Sequence, residues 1–157
     1  MADTFLNAQS IYKNIVAKKG YLIMTTYEDI KDRARDRISK VPMYFAFNKK
    51  QLSEALEKMG NPDRKDLCRI PGGGIMLKKD VPILEEAVSE SRKELGEFLA
   101  TDEGLKSALV YELSNCEYCI SEDPSDALDA LDLSIEDERV RRVLREAVEE
   151  YMAGVIW

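Results

Sequence analysis

The sequence predicts an α+β protein dominated by helix, with a small antiparallel sheet of three to four strands in its first half. Three observations carry this. Apolar residues recur at helical spacing over long stretches, above all after Asp80. Short runs of β-forming residues, Tyr21 to Met24, Met43 to Phe47, Leu67 to Ile70 and Ile75 to Lys78, crowd between positions 20 and 80. At 157 residues and 45% apolar, the chain has one domain's worth of material, 1–157, and too much apolar content for global disorder.

Each element has its own warrant. Phe5, Ala8, Ile11, Tyr12, Ile15 and Val16 recur at helical spacing before Lys18-Lys19-Gly20, which predicts a helix over about 4–18. Thr26 with Asp29 forms a capping box for a mostly charged helix over 27–39, whose narrow apolar stripe is Ile30, Ala34 and Ile38. Val41-Pro42 ends it. Asn48 with Gln51 starts a helix that buries Leu52, Ala55, Leu56 and Met59 and stops at Gly60. Pro71-Gly72-Gly73-Gly74 between two β-like runs predicts a hairpin. Asp80 caps a long helix with Pro82 in its first turn and a seam of Leu84, Val88, Ser91, Leu95 and Phe98. Thr101 starts a helix burying Leu105, Ala108, Leu109 and Leu113. A polar connection over 115–122 precedes a short helix from Asp123 to Leu131. Ser134 with Asp137 caps a last helix burying Val140, Val143, Leu144, Ala147, Val148 and Tyr151.

The composition narrows function mainly by exclusion. No apolar run reaches the roughly 20 residues of a membrane span. The start of the chain has no basic region before an apolar one, so no secretion signal is expected. Three cysteines without such a signal fit a reducing cytoplasm. With no histidine, every Ser-His or Cys-His pair is excluded and no nucleophile–base pair is legible, so no enzyme is expected. The formal charge is −7, and all of it lies after residue 120, where eleven acidic side chains meet four arginines. Such a field opposes direct nucleic-acid binding and suits a basic surface on another protein.

Four places are candidate sites. Cys116-Glu117-Tyr118-Cys119 is a CxxC, but it follows a helix and not a strand, and Cys68 adds only a third sulfur to a zinc site that wants four ligands. Buried thiols are the simpler reading, and no cofactor is expected. The glycine turn could cradle an anion, yet it lacks the lysine and hydroxyl of a P-loop. Asp123, Asp126, Asp129 and Asp132 recur every third residue, which on one helix draws a slanting carboxylate stripe; Glu122 precedes it and Glu136 and Asp137 extend it. A calcium loop would need a central glycine that is absent. The two readings left are a solvated face and an acidic docking surface. The apolar end Val155-Ile156-Trp157 either folds back onto the core or offers a sticky end.

Three stretches, Tyr44 to Gly60, Ile70 to Asp80 and Tyr111 to Leu133, together resemble a group of small proteins from bacteriophages, prophages and other mobile elements. The similarity covers about the middle two thirds of the chain. Where that group often has histidine, this chain has Cys116, so no role of that histidine carries over. The resemblance implies a mobile-element origin; with the acidic last third and the missing catalytic constellation, it leads to the expectation of a phage-type accessory protein in the host cytoplasm that binds and inhibits a host or phage protein with a basic surface. An anti-CRISPR or other anti-defence inhibitor is the sharpest form. The seven acidic residues from Glu122 to Asp137 are the expected contact. The alternative is a module for a small ligand or metal.

Overall fold

Val, Ile, Tyr, Phe and Met concentrate in the segments that pair, and turn residues separate them. The structure, a computed structural model, describes the backbone of residues 15–18 and 21–155 and the side chains of 25–155. It is a helix-dominated α+β protein. Strand β1 (Ile15–Lys18) pairs antiparallel with β2 (Tyr21–Met24) in a two-stranded sheet. Helix α1 (Tyr27–Ser39) leads to β3 (Met43–Phe45) and α2 (Lys49–Lys58). Strands β4 (Leu67–Ile70) and β5 (Gly74–Leu77) follow, then the long α3 (Val81–Leu99). The remainder is α4 (Asp102–Asn115), the single turn α5 (Tyr118–Ser121), α6 (Ser125–Ala130) and α7 (Glu138–Gly154). The chain divides into two units, one formed by Lys31–Glu94 and the other by the segments on either side, to Ile30 and from Leu95.

Within Lys31–Glu94, β3, β4 and β5 form an antiparallel sheet in the order β3-β5-β4. Met43, Met76 and Cys68 fall in one row across it, which puts them on one face. That face closes over Val41 and Ala87, with Ile38, Ile70, Val81 and Leu84 packed round them. Pro71 to Gly73 turn the chain between β4 and β5; Gly72 and Gly73 both have positive φ, 79° and 82°, where a side chain is strained. Glu94 on α3 accepts from Arg33 at 2.6 Å and lies 2.7 Å from Arg37, both on α1.

The other unit is built on α4. Leu105, Ala108, Leu109 and Leu113 are fully buried against Ala127, Leu128 and Leu131, and against Val140, Val143, Leu144 and Ala147 of α7. Each such leucine contributes about 1.5–3 kcal/mol through burial. Asp102 at the start of α4 receives Arg139 at 2.7 Å and Arg142 at 2.5 Å, both from α7.

Most capping expectations hold. Thr26 Oγ1 accepts from Asp29 N–H while Asp29 accepts from Thr26 N–H, at 3.1 and 2.8 Å. Asn48 accepts from Gln51 N–H at 2.9 Å, and Thr101 from Gly104 N–H at 3.0 Å. Four expectations are corrected. Of the helix over 4–18, residues up to 14 lie outside the described residues and Ile15–Lys18 are a strand, where β-branched Ile15 and Val16 suit pairing with β2. Asp80 lies inside a 3₁₀ turn that runs directly into α3, so it does not cap from outside. Asp137, not Ser134, caps α7, accepting from Arg139 and Val140 N–H at 2.7 and 3.2 Å. The helix over 123–131 is shorter, Ser125–Ala130, because Asp132 takes a left-handed conformation, φ 54°, that ends it. Val155 is half-buried; Ile156 and Trp157 lie outside the described residues, and with them the fate of the apolar end.

Candidate functional site

The seven acidic residues all stay at the surface, but not on one helix. Ala127, Leu128 and Leu131 pull α6 onto the core and turn Asp126 and Asp129 outward on the same face, three residues apart. Asp123 sits in the turn before α6, Asp132 just past it, and Glu136 and Asp137 in the connection to α7. Glu122 ends α5 with φ 54°. The strip is therefore a run of loop and short helix along the chain.

Two of the seven have structural work. Asp123 accepts from Ser125 N–H and Oγ at 2.9 and 2.6 Å, and those bonds hold its carboxyl below the usual carboxylate range. Asp137 caps α7. The other five, Glu122, Asp126, Asp129, Asp132 and Glu136, make no ion pair among the described residues. Of the four arginines that follow in α7, Arg139 and Arg142 go to Asp102, and Arg142 also lies 3.6 Å from Glu146, while Arg141 and Arg145 make no ion pair among the described residues. Two large apolar side chains, Ile120 at 77% and Ile135 at 41% exposure, stand among these carboxylates.

The cysteines behave as packed thiols. Burial raises the Cys116 thiol, and the charges of Asp126 and Glu112 add to that, which is the reverse of what a nucleophilic or metal-ligating thiolate needs. Cys68 Sγ lies 3.6 Å from the Met76 carbonyl oxygen in the sheet. A hydrogen bond with Cys119, with burial second, raises the Tyr151 hydroxyl. Among the described residues no group of three or more cysteine and carboxylate side chains is placed to hold a metal ion. The glycine segment serves as the hairpin turn it was expected to be.

One polar cluster escaped sequence reasoning. Glu112 is buried at 5% exposure in the core of α4, its Oε1 accepting from the Tyr27 hydroxyl at 2.7 Å and its Oε2 from Asn115 Nδ2 at 2.9 Å. Tyr27 is itself stacked near Phe98, with centroids 6.3 Å apart, and edge-on to Tyr111 at 5.2 Å. The signal was present: Glu112 stands seven residues after Leu105 and three after Leu109, on the apolar stripe. A charge at such a position needs a partner, and Tyr27 and Asn115 supply hydrogen bonds to it.

Fold and surface together define an acidic, helix-dominated α+β protein with two small antiparallel sheets. The chain belongs to the family of unknown function DUF7659, which matches residues 26–150. Neither a curated protein nor a solved structure matches it. No helix among the described residues is long and apolar enough to cross a membrane.

Proposed function

We propose that the protein works by binding another protein, with the strip from Glu122 to Asp137 as its contact for a basic surface. The observation that carries this is the five carboxylates without an ion pair among the described residues, in the stretch of chain that also exposes Ile120 and Ile135, while Arg139 and Arg142 pair with Asp102. A merely solvated face has no need of Ile120 and Ile135 at the surface. The charges would speed encounter and the isoleucines hold the complex. The narrower form is a phage-type inhibitor of a host defence protein with a basic groove. It rests on the resemblance of Tyr44 to Gly60, Ile70 to Asp80 and Tyr111 to Leu133 to mobile-element proteins.

The test is capture from a host lysate with tagged parent and with Asp126→Lys, Asp129→Lys. The double variant is expected to lose the captured protein, and the parent to lose it as salt rises from about 0.1 to 0.5 M, where the Debye length falls below about 5 Å. Equal capture by parent and variant would sink the proposal.

A further inference from the structure

We infer that a second copy of the chain is one occupant of the acidic strip, so that the protein self-associates head to tail. This rests on the reading of the strip as a docking surface and names a partner for it. The complementary surface is on the sheet of Lys31–Glu94. Phe45, at the end of edge strand β3, is 48% exposed, and Phe47, two residues on, is 77% exposed. Both rings lie over the same turn: a ring carbon of Phe45 is 3.8 Å from where a Cβ of Gly72 would stand, and one of Phe47 is 3.9 Å from that of Gly73. The bare glycine backbone thus leaves room for two phenyl rings over one turn, and neither forms an aromatic pair among the described residues.

Charge says what this knob fits. Residues 31–94 carry fifteen basic and eleven acidic side chains, net +4, while the remainder carries eight basic and nineteen acidic, net −11. Lys49 and Lys50 follow the knob directly in the first turn of α2. Lys49 makes no ion pair among the described residues, and Lys50 only a 3.9 Å approach to Glu54. One surface is therefore apolar with two lysines beside it in a net basic unit, and the other carries two exposed isoleucines in an acidic segment. Two such surfaces on one chain are each other's complement. The contact is heterologous: every junction uses one strip and one knob and leaves one of each free.

Sedimentation velocity tests this with four samples: parent, Phe47→Asp, the double variant Asp126→Lys, Asp129→Lys, and an equimolar mixture of the two variants. The substituted side chains are exposed and make no hydrogen bond, so both variants should fold, which circular dichroism checks. The parent's average mass should rise with concentration at about 50 mM salt and return to that of one chain at about 0.5 M. Each variant alone should be monomeric, because each lacks one half of the contact. Mixed, they should form a one-to-one complex and nothing larger, at least about tenfold tighter than either variant with itself. A parent that stays monomeric at low salt overturns the inference. So does a strip variant that still associates alone, which would mean knob-to-knob pairing, or a mixture that stays monomeric. A monomeric parent whose strip variant still loses a lysate partner would end self-association and leave the docking function standing. A self-associating parent whose strip variant keeps that lysate partner would do the reverse.

Discussion

Glu112 shows how much one residue can bind together. Its carboxylate is buried among leucines, and its two oxygens engage Tyr27 and Asn115. Tyr27→Phe removes a donor and leaves a buried acceptor, a loss of about 1–3 kcal/mol. Urea unfolding should show a lower midpoint with unchanged slope; an unchanged midpoint would mean that solvent replaces the hydroxyl without penalty. Burial, followed by the bond to Glu112, pushes the Tyr27 hydroxyl well above its ordinary value of 10.0. The unfolded chain therefore gives up this proton at a pH where the folded one still holds it. The stability tied to it is complete below about pH 10 and falls as pH rises further. Denaturant titrations between about pH 9 and 11 should show a steeper decline in the parent than in Tyr27→Phe.

Among the elements, α4 is the most constrained at its start. A Cβ on Gly104 would collide with the Phe98 carbonyl oxygen and lie 2.9 Å from the capping hydroxyl of Thr101. Gly104→Ala must shift backbone, and the loss should be about 1–3 kcal/mol or more, although alanine is the better helix former. A neutral or stabilising result in thermal unfolding would refute this close approach. Asp102, two residues earlier, is held below the usual carboxylate range by its hydrogen bonds from Arg142 and then Arg139. Its contribution is present above that range and is lost as pH falls through it. Asp102→Asn should flatten the acid limb of the stability–pH curve, and an unchanged limb would exclude the tie to α7.

The starts of α1, α2 and α4 were legible because each is a local bond between residues three apart. Strands β4 and β5 were legible from the glycines that must turn between them. Ile15–Lys18 was not, because Ile15 and Val16 fit the end of a helical stripe as well as a strand, and pairing with β2 decides. Of the strip, its residues and their exposure could be read in advance. That it is loop and short helix could not, since the left-handed turns at Glu122 and Asp132 fall on residues that carry no glycine signal for them. Glu112 was missed because apolar neighbours were counted and the charge among them was not.

At the scale of the whole molecule, charge is divided as unevenly as structure. The contiguous Lys31–Glu94 unit is net basic, residues 1–30 are neutral, and the segment from Leu95 onward is strongly acidic. Self-repulsion in the acidic part should make the protein more stable in moderate salt than in none, a trend opposite to that of self-association. A melting temperature that rises between about 10 and 150 mM salt while average mass falls would separate the two effects.

The Tyr27–Glu112 bond spans 85 residues of sequence. During synthesis, Lys31–Glu94 holds its whole sheet and core before α4 has been made. The surrounding unit must wait for α7, then draw back a helix turn made more than eighty residues earlier. Nascent chains emerge at about 5–20 residues per second, so the middle of this protein has seconds in which to fold before its flanks can meet. In refolding, the same order makes the closure at Tyr27 a late event. Tyr27→Phe should then speed unfolding and leave the folding rate nearly unchanged, and a slowed folding limb in the chevron would place that closure in the nucleus instead.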